Sequence, residues 1–463
     1  MQEKTGIRFV GVLALFMAGA TSQAQAATSC TPTVEGPIAV TATSRVYDPS
    51  SNPYAGAAPP AGEMEEEFFV SCDVSVGHYK TVIHVTLPTD PAKQSGIVVA
   101  EPWHPGDFWT IYDKARKYIT RSGDVSVVIV GNPYILDTYF KKAEPARYAS
   151  LSLPGKGARS LANTPPAETA EPEVLGQVGA LIKSGGIPGV KARKVVLGGM
   201  STTGWVVRNY IAYEHAAPGT RSVYDGYFPE QAANPKGPLP DLDVPVVEIQ
   251  GERELLGELR GTGPVKYARA DGPLYRLFEV PGAPHIATRM ATQLPGGPVP
   301  TNRIEPGTPE CVGHTWTDFP TDMLFAMGLD SLTKWADKGI ATPHVPRIAM
   351  VPKAREIKRD QFGNAMGGLR TSYLDVPVNT YHATWGNYVA LPDGKPSDPM
   401  AATCGLTGWI KPLPTETLKK LYPTHADYVA KVDKATAALV RQRLLLPEDA
   451  AALRAEARQA QVP

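Results

Sequence analysis

The sequence predicts an α/β protein: a mostly parallel sheet covered by helices on both faces, an antiparallel N-terminal lead-in, and a Pro/Gly-rich C-terminal covering region that ends in helices. Short apolar runs alternate with amphipathic helical segments through the middle of the chain, the pattern of a parallel sheet buried on both sides. The 463 residues include 45 prolines and 43 glycines, which disfavours long coiled coils and helical bundles because proline breaks helices. A hydrophobic fraction of 43% is ample for a core and separates the chain from disordered sequences. Lysine plus arginine and aspartate plus glutamate each number 46. That balance removes the electrostatic warrant for a nucleic-acid partner.

Taken in order, Lys4 and Arg8 precede an apolar run from Phe9 to about Ala20, and Ala24-Gln25-Ala26 supplies a small-x-small cleavage pattern. Residues 1–26 therefore read as a signal peptide, and the mature chain is expected to be exported, periplasmic or secreted. The run is too short to span a bilayer comfortably and no later segment approaches 18 consecutive apolar residues, so no stable membrane anchor is expected. Export would place Cys30, Cys72, Cys311 and Cys404 in an oxidising compartment. The favoured pairs are Cys30–Cys72, tying the N-terminal segment to an early strand, and Cys311–Cys404, clamping two parts of the C-terminal third. No cysteine or histidine spacing suits a metal, and no cofactor is implied.

Glu66 to Val76 and Thr81 to Leu87 read as lead-in strands, the second with alternating apolar residues. Ile97–Ala100 and Val125–Val130 are short buried runs flanking a helical segment from Trp109 to Thr120. Residues 137–172 read as a long surface loop. Then follow a helix over Glu173–Ser184, a strand at Lys194–Leu197, a helix over Gly204–Glu214, and strands at Val244–Ile249 and Tyr275–Val280. Helices are expected near Leu418–Tyr422, His425–Arg443 and Glu448–Ala460. No repeat has a fixed period.

The sharpest motif is Gly199-Met200-Ser201-Thr202-Thr203-Gly204, between a buried strand and a helix. It reads as a nucleophile elbow, whose glycines relieve the crowding around a serine in a strained turn. The second glycine comes one residue later than in GxSxG, and a Gly-Gly turn capped by a serine would share part of the pattern. A serine hydroxyl needs a general base, and the base needs an orienting acid. In an α/β-hydrolase sheet these follow later strands in the order serine, acid, histidine. Of nine histidines only His285 sits just past a predicted buried strand downstream of the elbow. Glu254, beyond the strand ending near Ile249, is the favoured acid, with Glu252 and Asp225 as alternatives. The N–H of Thr202 and one from Trp103, His104 or Gly106 are the candidate oxyanion donors, since Pro102 and Pro105 have none. Trp109, Trp205 and Tyr227, with Trp103, Phe108 and Phe228, lie near the predicted sheet edge as core or as substrate-binding residues. The latter reading favours an apolar or aromatic small-molecule ester.

The Gly363, Gly367 and Gly368 run with Asn364 suggests a tight loop whose Arg370 pairs with a carboxylate; it lacks the lysine of a phosphate-binding loop. The chain also resembles a bacterial α/β-hydrolase-domain family whose elbow reads G-x-S-x-S/T-G, matched by Gly199, Ser201, Thr203 and Gly204. The resemblance continues through Tyr224-Asp225-Gly226, Pro284-His285, Leu332–Gly339, the long Asp360–Tyr381 run and Cys404–Gly408, and covers roughly residues 60 to 450. It implies an α/β-hydrolase fold and serine hydrolase chemistry. The expected organisation is a signal peptide (1–26), a catalytic domain (27–340) and a covering region packed on it (341–463). The expected activity is that of an exported esterase acting through an acyl-enzyme on Ser201, with His285 as base and acid and Glu254 as its orienting group. An amidase or transacylase on the same triad, or a non-catalytic binding protein in a hydrolase shell, is the alternative.

Overall fold

In a computed structural model, the buried strands assemble into a nine-stranded sheet of order β1-β2-β3-β5-β4-β6-β7-β8-β9. The structure describes residues 30–47, 61–105, 110–158, 164–215, 223–232, 237–259, 265, 267–287, 289, 315–384 and 405–462. The expected signal peptide, Gly106, Phe108, Trp109, Cys311 and Cys404 lie outside the described residues. The strands are β1 (Thr33–Glu35), β2 (Glu63–Val74), β3 (Gly77–Pro88), β4 (Ile97–Pro102), β5 (Val125–Ile129), β6 (Lys194–Met200), β7 (Gly226–Glu230), β8 (Val246–Gly251) and β9 (Tyr275–Val280). The lead-in is antiparallel, with β1 on β2, β2 on β3 and β3 on β5. From β5 onward every neighbouring pair is parallel. A Cys30–Cys72 disulfide fastens the N-terminal segment to β2, as the sequence reading expects.

The principal helices are α1 (Ile111–Ser122), α2 (Glu171–Lys183), α3 (Thr202–Tyr210), α4 (Glu252–Leu259), α5 (Thr321–Lys338), α6 (Thr415–Leu421), α7 (His425–Arg441) and α8 (Pro447–Gln459). Side chains alternate across each strand. Val195, Leu197 and Tyr227 accordingly pack with Val178 and Ile182 of α2 and Val207 and Tyr210 of α3, while Val196 and Phe228 pack on the other side with Ile111, Ile119, Leu329 and Leu332. Leu374, Tyr381, Leu444 and Leu446 join this second cluster, so the C-terminal region shares the core that α1 and α5 build. A small antiparallel sheet of β10 (Thr315–Trp316), β12 (Trp409–Pro412) and β11 (Asn379–His382), in that order, belongs to the same end of the chain.

Two readings change. Residues 137–172 form more than a surface loop: helical turns cover Leu136–Phe140, Lys141–Ala143 and Pro145–Tyr148, and Phe140, Tyr148 and Leu151 bury themselves with Tyr47 and Trp103. The isolated aromatics, too sparse for a periodic signal, find a shared pocket only in three dimensions. Strand β7 is also new. Its Pro229 argues against a central strand, yet its register with β8 is confined to Tyr227↔Val246, so the missing N–H interrupts little ladder. The glycine run is structural: Gly363, Gly367 and Gly368 have φ of 83°, 75° and 68°, and Arg370 binds the Asp375 carboxylate at 2.6 Å. No helix among the described residues is long and apolar enough to cross a membrane.

Gly328 sets how closely α5 approaches the sheet, since a Cβ there would lie 2.7 Å from the Phe228 ring and 2.8 Å from Ile249. We predict that Gly328→Val destabilises the protein by about 1–3 kcal/mol through overpacking, read as a lower urea midpoint; an unchanged midpoint would show that the helix can shift away freely.

Candidate active site

Strand β6 delivers Ser201 to its carboxyl end with φ 56° and ψ −119°, a conformation L-residues rarely adopt. Such a residue costs on the order of 1–3 kcal/mol and persists only where its surroundings over-determine it. Here they do. The Ser201 N–H donates to the Glu230 carbonyl at 2.9 Å, and Trp205 N–H donates back to the Ser201 carbonyl at 3.1 Å. The Thr203 hydroxyl accepts from Met200 N–H at 2.9 Å and donates to the Met200 carbonyl at 2.8 Å, closing the turn from below.

The two glycines are steric requirements of the same turn. A Cβ on Gly199 would lie 2.5 Å from the Thr203 carbonyl oxygen, and one on Gly204 would lie 2.6 Å from Ala232 Cβ and 2.9 Å from the Glu230 carbonyl. This explains the displaced spacing. Position 203 is occupied by the hydroxyl that clamps the turn, and it is position 204 that faces the end of β7.

His285 follows β9 through Pro281-Gly282-Ala283-Pro284. Its Nδ1 lies 2.7 Å from Glu254 Oε1, and both residues are buried. Glu254 Oε2 accepts the Gly251 N–H at 3.0 Å, which fixes the carboxylate. Glu252 has other partners: one oxygen accepts Gly282 N–H at 2.7 Å and the other lies 2.6 Å from Arg359. Asp225 sits at the opposite end of β6, accepting Val195 N–H at 2.9 Å and pairing with Lys183 and Lys194. Of the three acids, the structure brings Glu254 to His285.

The elbow and the histidine loop are joined by Glu230 and Gln231, a pair the sequence reading does not single out. Glu230 receives the Ser201 N–H, and Gln231 donates its side-chain amide to the Pro284 carbonyl at 2.9 Å while its own N–H binds the Ile249 carbonyl at 2.8 Å. Gln231 has φ 45°. In sequence they are two polar residues after a short apolar run, a pattern without a distinguishing signal.

Burial holds the His285 imidazole below its ordinary pKa; the bond and charge of Glu254 oppose this, while the charges of Arg253 and Lys114 add to the lowering. Lys114 is itself buried, which brings it down to about 7. Glu101, at the end of β4, is pushed up to about 8 by burial although it accepts Ile111 and Tyr112 N–H groups at 2.6 and 3.0 Å. A carboxyl at that place receives the first amides of α1.

The oxyanion and substrate candidates divide. Thr202 opens α3, where the first backbone N–H groups of a helix lack intrahelical acceptors. Trp103 is corrected as a donor: its N–H is spent on the Ile129 carbonyl at 2.8 Å, and its ring is buried 4.9 Å from Phe140. His104 is buried beside it in sequence. Trp205 is half-buried on the first turn of α3. Tyr227 is corrected to a core residue, fully buried with Tyr224 and Tyr210 and with its hydroxyl 2.9 Å from His215 Nδ1.

A family model described as an alpha/beta hydrolase domain matches residues 34–455. Among solved structures, the esterase Est22 is similar over 42% of this chain and 65% of its own, at 12% identity and a TM-score of 0.28. Brefeldin A esterase, a bacterial homologue of human hormone sensitive lipase, is similar over 37% of this chain and 42% of its own, at 15% identity and a TM-score of 0.23. The match spans just under two thirds of the length of Est22. No curated protein matches the chain significantly.

Thr203→Val keeps the shape of the side chain but strands the buried Met200 amide. We predict a loss of about 1–3 kcal/mol of stability, while Thr203→Ser, which keeps the clamp, stays near the wild type; equal thermal midpoints for the two variants would remove the hydroxyl from this account.

Proposed function

The chain belongs to the alpha/beta hydrolase domain family, and from that premise we propose that it is an exported serine esterase acting through an acyl-enzyme on Ser201. The observation that carries this reading is the buried His285–Glu254 pair, 2.7 Å apart, at the same carboxyl edge of the parallel strands as the strained Ser201 turn.

Ser201 Oγ attacks the acyl carbon while His285 Nε2 takes its proton. Glu254, on the other ring nitrogen, fixes the tautomer and stabilises the imidazolium as it forms. The Thr202 N–H, with a second donor from the segment after β4, holds the oxyanion; His104 and Gly106 are the candidates there, since Trp103 N–H is engaged. The intermediate collapses when His285 returns the proton to the leaving alcohol. A water then repeats the sequence with His285 as base and releases the acid. Because burial favours neutral imidazole, His285 is in its basic form at neutral pH. The leader sequence and the Cys30–Cys72 disulfide support export, since disulfides persist in oxidising compartments. Trp205, half-buried beside the elbow, supports an apolar or aromatic ester.

A nitrophenyl ester assay tests the reading: wild type turns over and Ser201→Ala does not, whereas equal rates would overturn it. The pH profile assigns the acid. The rate is expected to fall as pH drops through a His285 pKa below 6.5, since protonation removes the base. Glu254→Gln removes a charge that favours imidazolium, so the acidic limb moves to lower pH and the plateau falls by about 10²–10⁴-fold. Glu252→Gln leaves that limb in place. A limb that moves in Glu252→Gln and not in Glu254→Gln would exchange their roles.

A further inference from the structure

Among the described residues four non-glycines hold a positive φ: Ser201, Gln231, Lys353 and Arg443. Lys353 lies in an exposed turn and Arg443 is an exposed residue just past α7, both places where a chain reversal uses such a backbone. Gln231 is different. It is buried at the end of β7 with φ 45°, next in the chain to the residue that receives the Ser201 N–H. Its side-chain Oε1 is also buried, without a hydrogen-bond partner among the described residues. A residue held against local preference in two ways at once points to a role other than support of the fold.

What the side chain contributes is one bond, from Nε2 to the Pro284 carbonyl at 2.9 Å. The Gln231 N–H is meanwhile tied to the Ile249 carbonyl of β8 at 2.8 Å, and the Glu230 carbonyl receives the Ser201 N–H at 2.9 Å. Two adjacent residues therefore grip the peptide of the nucleophile on one side and the peptide that leads into His285 on the other. Glu254 holds the imidazole through Nδ1; Gln231 holds the backbone that carries the ring. The backbone at 231 would be met better by glycine or asparagine, which enter this φ region readily. Only a longer amide reaches Pro284.

We propose that Gln231 is a positioning residue for hydrolysis, whose amide sets where His285 stands against Ser201. The proposal rests on the reading of Ser201 as nucleophile and His285 as its base. A misplacement of about 1 Å between reacting groups lowers a rate by about 10²-fold, so a tie at this point governs turnover rather than substrate affinity.

Two variants of the full-length chain separate positioning from support. Gln231→Met keeps the length and loses the donor, while Gln231→Asn keeps the amide, loses the reach and suits the backbone. Both should lower kcat on a nitrophenyl ester by about 10–10²-fold with KM unchanged, the mark of an interaction made in the transition state. Gln231→Asn should do so without lowering the thermal midpoint, and a fall in kcat at full stability is what a purely structural residue does not give. Should Gln231→Met fold poorly, Gln231→Asn carries the test alone. Amide exchange across residues 282–286 should quicken about fivefold, the worth of one hydrogen bond. The acidic limb of the pH profile should stay in place, because Glu254 still faces the ring. The proposal is overturned if a folded variant keeps the wild-type kcat, if KM rises while kcat holds, or if the loop exchanges as before. A wild type that hydrolyses no ester overturns the esterase reading and this role with it, a failure told apart from the others because exchange in the loop still quickens.

Discussion

A single backbone hydrogen bond, from the Ser201 N–H to the Glu230 carbonyl, organises this molecule. Ser201 sits at φ 56°, and a residue in that region relaxes unless its neighbours forbid it. The Glu230 carbonyl is presented by β7, which must therefore lie beside β6 in register to its last residue, Met200↔Glu230. Gly204 is bare because β7 ends against it, and Gly199 is bare because the turn folds over it. Thr203 supplies the clamp that a third glycine could not. Sheet order, glycine placement and the hydroxyl at 203 thus answer one geometric demand.

The same end of β7 reaches the other half of the site. Gln231 binds the Pro284 carbonyl, Glu252 binds the Gly282 amide, and Arg253 N–H binds the Ala283 carbonyl. Three successive residues before His285 are therefore held by Gln231, just past β7, and by α4, and Glu254 takes the ring itself. Loops carry function when a rigid scaffold positions them; here the scaffold is hydrogen-bonded to the loop residue by residue. A buried imidazole with one carboxylate partner stays neutral yet tolerates a transient charge, which is the balance a general base requires.

Much of this was legible in the sequence because it obeys local rules. Buried strands are apolar runs, the elbow needs glycines at fixed offsets, and a histidine beyond a late strand is conspicuous. The sequence favours Glu254 but leaves Glu252 open: both stand at the start of α4, and which of them meets His285 depends on how one turn of helix aims two side chains in different directions. Trp103 and Tyr227 misled for a related reason. An aromatic residue at the end of a strand reads the same whether it faces a cleft or the core, and a backbone N–H shows its partner only once the register of β4 against β5 is known. Strand β7 was hidden by Pro229, and the Glu230–Gln231 bridge by having no pattern of its own.

Glycine and proline also shape the elbow, the Pro281–Pro284 loop and the glycine run of the C-terminal region, where Gly368 packs against the Glu279 carbonyl at the end of β9. All of these surround the carboxyl edge of the sheet. The central claim is that this edge activates one serine, and labelling with a fluorophosphonate followed by peptide mapping tests it most directly. The account predicts a single adduct on Ser201 that is lost in His285→Ala although the protein remains folded. An adduct on another serine, or labelling of Ser201 that is indifferent to His285, would contradict it.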